Sequence, residues 1–184
     1  MRTWRILASV ALIAFFSAAA QAAPEATRAV AVVHPTQGNQ CRGTVWFTVD
    51  EGGLVVEARL EGLKPNSRHG FHIHQYGDCS SPDAKSAGDH YNPETHKHGG
   101  PDSPDRHAGD LGNVTSDAEG KADYRLVVRD LTINGTRNPV LGRAVIVHAG
   151  QDDLKSQPSG DSGARIGCGV IGLAGEPAEP APPR

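Results

Sequence analysis

An all-β fold is what this sequence predicts: eight short strands closed as a barrel or sandwich, with two long loops left over. Three observations carry it. Apolar residues recur in short runs with strand-like rather than helix-like spacing. Each run stops at Gly, Pro or Asn, and no convincing amphipathic helix interrupts the series. Gly and Pro together make 35 of the 184 residues, which suits many tight turns and not a helical bundle. The length suits one globular domain.

The strands follow in order. Val30, Val32 and Val33 lead into His34-Pro35, where proline ends the first. Thr44 to Val49 alternates around Trp46 and Phe47, and Leu54 to Leu60 answers it across the turn Asp50-Glu51-Gly52-Gly53. Lys64-Pro65-Asn66 turns the chain into a fourth strand, Arg68 to His74. Leu111 to Val114 is a short fifth, and Tyr124 to Arg129, after Glu119-Gly120, a sixth. Ala144 to His148 and Ile166 to Leu173 complete the set. Between them lie two long connections, residues 75 to 109 and about 149 to 164, and loops of that length usually carry function.

Outside the strands, the N-terminus has the layout of a secretory signal. Arg2 and Arg5 precede an apolar run from Ile6 to Ala20, too short to span a bilayer, and Ala20-Gln21-Ala22 offers a cleavage point. Residues 1–22 are therefore expected to be a signal peptide, residues 23–174 the folded domain, and 175–184 a Pro-rich disordered tail. Export to the periplasm or beyond the cell follows, with no membrane attachment after cleavage. Lys and Arg number 18 against 21 Asp and Glu, so the basic excess of a nucleic-acid binder is missing. An oxidising compartment permits disulfides. Cys41, Cys79 and Cys168 allow one bridge and one leftover thiol. Cys41 opens an apolar strand and reads as a small buried hydrophobe, whereas Cys79 and Cys168 lie in or beside loops, where a staple is useful.

The histidines carry the chemistry. His72 and His74, at i and i+2 on one strand, point to the same face, and His148 closes another strand. Three imidazoles suit copper, and also accept zinc, iron or nickel. The first long loop holds His90, His98 and His107, with Asp110 three residues on. Three histidines and a carboxylate fill a tetrahedral zinc shell with no open position. A polar loop has little apolar surface to bury, and metal coordination offers it another source of order. His96 projects differently and is expected to be exposed.

Six motifs in this order resemble the copper/zinc superoxide dismutases. They are Gly70-Phe71-His72-Ile73-His74, His90-Tyr91-Asn92-Pro93, Lys97-His98-Gly99-Gly100-Pro101, His107-Ala108-Gly109-Asp110-Leu111-Gly112-Asn113, Val147-His148 and Gly167-Cys168-Gly169-Val170-Ile171-Gly172. The resemblance runs from about residue 28 to 174. It implies a Greek-key barrel binding one copper and one zinc ion per chain. Copper would be held by His72, His74, His90 and His148, and zinc by His90, His98, His107 and Asp110, so that His90 bridges the two. It implies superoxide as the substrate, Arg165 as the arginine that holds the anion beside copper, and His90 as ligand and proton carrier. It further implies Asp152 as the carboxylate bridging histidines of both metals, a Cys79–Cys168 disulfide, and a structural role for His69. Cys79 falls five residues after His74, a spacing similar to bacterial members. The loop before Arg165 is short and lacks clear counterparts of the family's steering charges, which leaves Lys85 or Arg106 as substitutes. Monomeric and homodimeric members both occur. Two rival readings exist: a copper or zinc carrier on the same barrel, which has no use for Arg165, and a zinc hydrolase, which a filled four-ligand shell excludes.

Overall fold

The structure, a computed structural model, describes residues 25–175. The expected signal peptide and all but the first residue of the expected tail lie outside them. Among the described residues eight strands form: β1 (Arg28–Pro35), β2 (Arg42–Asp50), β3 (Gly53–Glu61), β4 (Arg68–His74), β5 (Asp110–Thr115), β6 (Ala122–Val128), β7 (Ala144–His148) and β8 (Arg165–Leu173). Every expected strand is present, β4 and β7 with the expected boundaries and the others within two residues of them. Among the described residues the one helical element is a single 3₁₀ turn at Lys85–Ala87, inside the first long loop.

All neighbours pair antiparallel, in the order β5-β4-β7-β8-β1-β2-β3-β6. The two end strands, β5 and β6, are consecutive in sequence and pack against each other as the sheet curls round. Around the barrel, β7 therefore returns beside β4 after the run β4-β5-β6, which is a Greek key. Tyr124 of β6 latches the seam: its hydroxyl donates to the Leu111 carbonyl of β5 at 2.6 Å. Its ring meets Phe71 edge to face at 5.2 Å.

Strand alternation decides what lies inside. Ala29, Ala31 and Val33 of β1, Val45 and Phe47 of β2, and Leu54, Val56, Ala58 and Leu60 of β3 fill the interior with Phe71, Ile73, Val145, Val147 and Ile171. Each large side chain among them is worth about 1.5–3 kcal/mol relative to exposure. β4 and β7 are buried on both faces, because the two long loops cover their outer side. There Ala84 and Ala87 of the first loop pack on Ala144, Ile146 and Cys168 in a second small apolar cluster. Cys79 and Cys168 are bonded, as expected, tying that loop to β8 across 89 residues. Cys41 is the free thiol, fully buried, and burial pushes it up to about 12. The second loop lies on β4 as well, with Gly70 N–H donating to Gly150 O at 2.8 Å. The space between the outer face of β4–β7 and the two loops is where the histidines converge.

Candidate metal centre

β4 builds the floor. With Phe71 and Ile73 turned to the core, His72 and His74 point outward by strand parity. His148 joins them from β7, after a register shift at Val147/His148 in its ladder with β8. His90 comes down from the first loop, bridging to His74 as an isolated β-pair. One nitrogen from each of His72, His74, His90 and His148 lies within 4.8 Å of the other three, and all four residues are buried.

The second nitrogen of each ring shows which atoms converge. His74 Nδ1 faces Gly88 O at 2.9 Å and His148 Nδ1 faces Gly163 O at 3.1 Å, so both carry their proton there. His72 Nε2 faces Asp152 Oδ2 at 2.7 Å, and His90 Nδ1 faces Asp110 Oδ1 at 2.8 Å. What remains is His72 Nδ1, His74 Nε2, His90 Nε2 and His148 Nε2, every one buried without a hydrogen-bond partner. Four unpaired nitrogens aimed into one space are costly unless a cation takes their lone pairs. Burial, foremost, lowers the pKa of His72, His74, His90 and His148, in His90 to about 4. Neutral imidazoles, the form a metal requires, are therefore the resting state.

A second group shares His90. His90, His98, His107 and Asp110 again bring one donor each within 4.8 Å. The Asp110 carboxylate collects three Nδ1 atoms, His90 at 2.8 Å, His98 at 3.1 Å and His107 at 3.2 Å. The His98 contact lacks hydrogen-bond geometry, which leaves its Nδ1 unpartnered. Backbone N–H groups of Gly99 and His107 fix Asp110 Oδ2 at 3.1 and 3.0 Å. Although burial opposes its ionisation, the His107 and His90 hydrogen bonds, with the His98 ring beside them, hold Asp110 far below the usual carboxylate range. In His98 burial lowers the pKa, but the Asp110 and Asp152 carboxylates outweigh it and raise the ring to about 9.

Asp152 joins the groups from outside. Its Oδ2 meets His72 Nε2 and its Oδ1 meets His98 Nε2 at 2.9 Å. Asn113 orients it, accepting from Asp152 N–H at 2.8 Å and donating to Asp152 O at 3.0 Å. Arg165, at the start of β8, is clamped by the first loop: Nη1 donates to Ala84 O and Nη2 to Gly88 O, both at 2.7 Å. Gly88 O also receives His74 Nδ1, so one carbonyl sets the guanidinium and a histidine of the floor. The charge of Arg165 is among the causes that lower His74 and His148, after burial.

The remaining expectations sort cleanly. His69 sits beneath the site, with Nδ1 2.9 Å from His148 O, and supplies no donor to either group. His96 stays outside, half-exposed between Glu94 and Asp105. Arg106 is not available to steer an anion, because its side chain is 9% exposed and bound to Asp130 at 2.6 Å. Lys85 is exposed and lines a 380 Å³ groove with Asp83 and Arg165, its charge offset by Asp83 at 2.9 Å. Sequence reasoning missed Asn113, the Ala84 and Gly88 carbonyls and Gln157. Backbone acceptors leave no side-chain signal, and Asn and Gln in loops are ordinary.

The family model for copper/zinc superoxide dismutase matches residues 41–171. The Cu-Zn superoxide dismutase of Paramecium bursaria Chlorella virus 1 is 42% identical over 156 residues, covering 82% of each chain. A crystal structure of the clock protein EA4 is 36% identical, with a TM-score of 0.75 over 84% of this chain and 99% of that one. With the family model spanning both histidine groups and the bridging His90, the chain belongs to the copper/zinc superoxide dismutase family.

Proposed function

We propose that this chain dismutates superoxide, holding copper with His72, His74, His90 and His148, and zinc with His90, His98, His107 and Asp110. The carrying observation is the set of four buried nitrogens without partners, each on a ring whose other nitrogen is already committed. Bound copper supplies the one-electron couple: one superoxide gives up an electron and leaves as dioxygen, a second takes it up with two protons and leaves as hydrogen peroxide.

The chain's own residues do the rest. His72, His74 and His148 are held in one tautomer by Asp152, Gly88 O and Gly163 O, so their free nitrogens need no reorganisation. His90 would be the proton site: its Nδ1 is committed to the Asp110 group, which leaves Nε2 as the ring atom at which a proton would be held or released. Arg165 docks the anion, since a guanidinium keeps its charge near neutral pH and two carbonyls fix its plane. The anchoring of Arg165 favours an enzyme over a carrier, which has no substrate anion to place.

Residues 1–22, outside the described part, support export, as does the Cys79–Cys168 bond. One preparation tests both readings: the purified mature protein is expected to begin at Ala23, hold one copper and one zinc, and dismutate superoxide. Both metals bound without turnover would sink the enzyme reading, and an uncleaved N-terminus would sink export by cleavage.

A further inference from the structure

His98 is gripped by the second loop in a way the metal donors alone do not require. The side-chain amide of Gln157 pairs with both polar groups of the His98 main chain. Its Oε1 accepts the His98 N–H at 2.9 Å and its Nε2 donates to His98 O at 3.0 Å. A second donation, to Lys155 O at 3.1 Å, fixes the amide itself. Gln157 thus does for one residue what a neighbouring strand does for a ladder. Gly160 closes the arrangement: at φ +67° its backbone lies against Asp152 and His98, and a Cβ there would overlap Asp152 Oδ1 and His98 Nε2. The stretch from Asp152 to Gly160 forms a collar, with Asp152 on the His98 ring and Gln157 on its main chain.

The need for such a restraint is local. His98 is followed by Gly99-Gly100, intrinsically free backbone whose hold on the zinc group is the Gly99 N–H on Asp110 Oδ2. Asp152 holds the ring at Nε2 only, and the Gly99 N–H fixes the chain on one side of His98, so keeping Nδ1 on Asp110 calls for a second main-chain restraint. We infer that Gln157 is a positioning residue for zinc, fixing the His98 main chain so that Nδ1 stays on the Asp110 group. The inference rests on the assignment of His98 to zinc. It couples the second loop to the zinc site through an exposed side chain, one whose removal opens no cavity.

The test uses the copper- and zinc-loaded protein, with zinc transfer to a chelating dye as one readout and the visible absorption of cobalt placed at the zinc position as another. Gln157→Ala should weaken zinc binding about 10- to 100-fold, as loss of an outer partner of a metal ligand does. It should also shift the cobalt bands and leave copper content unchanged. Gln157→Glu keeps the acceptor for the His98 N–H and loses the donor, so it should fall between wild type and Gln157→Ala. If Gln157→Ala does not fold, Gln157→Glu decides alone. Wild-type zinc transfer and cobalt bands in the decisive variant would overturn the inference, and so would copper and zinc lost in parallel. A wild-type chain that takes up no zinc would overturn the assignment of His98, and the clamp with it.

Discussion

At the scale of single residues, the proposed site keeps the groups assigned to metal apart from the one assigned to the substrate. Arg165 donates to two carbonyls and to no ligand, so removing its side chain leaves every metal donor in place. Charge-assisted hydrogen bonds are worth about 1.5–3 kcal/mol, so Arg165→Ala should slow turnover about 10- to 100-fold and weaken small-anion binding by a similar factor. Both metals should stay bound, and copper lost from that variant would contradict the role. Much at this scale was legible in the sequence: the structure gathers the seven proposed ligands into two groups that share His90, with Asp152 on His72 and His98 and Arg165 against the first loop. The restraints on them were not, because they come from main-chain carbonyls at Ala84, Gly88 and Gly163 and from the side-chain amides of Asn113 and Gln157. Residue type predicts a donor atom far better than it predicts which distant backbone will hold that donor still.

Strands and loops divide the work between them. The eight strands were readable because alternation in Val45-Trp46-Phe47 or Phe71-His72-Ile73 marks one inward face, and Gly or Pro marks each end. The first long loop was harder. Its buried apolar residues, Ala84 and Ala87 around the 3₁₀ turn and Tyr91 and Ala108 further on, are too few and too irregularly spaced to show a period. That turn presents both carbonyls that clamp Arg165, and the Cys79–Cys168 bond pins it to the strand that carries Arg165. Cys79→Ser should therefore cost more than stability. The chain-entropy model assigns about 4–5 kcal/mol to a loop of this length. Beyond that loss, the released turn should raise KM for superoxide in protein still folded and metal-loaded. A variant that loses thermal stability but keeps wild-type KM would show that the apolar contacts of Ala84 and Ala87 suffice to seat Arg165.

For the whole molecule, order in the covering layer has two sources, and they fall on different parts of one loop. Residues 79 to 88 are held by a disulfide and by apolar packing against Ala144 and Ile146, neither of which depends on a metal. Residues 90 to 109 contain His90, His98 and His107, and two of the atoms they present, His90 Nε2 and His98 Nδ1, make no hydrogen bond within the protein. Tyr91 and Ala108 anchor the two ends of that half in the core, and between them coordination adds folding free energy, because binding a cation that the unfolded chain cannot hold stabilises the ordered form. Removing both metals should then loosen the loop unevenly. Amide hydrogen exchange in the stripped protein should lose protection across residues 90 to 109, while residues 80 to 88 and the barrel strands stay near their metal-bound values. Restoring zinc alone should recover most of that protection, since three of the four zinc donors lie inside the segment and the fourth, Asp110, begins β5. Recovery with copper alone would place the ordering at His90 and the floor of β4 instead, and uniform loss across the barrel would make the metals a requirement of the fold as a whole.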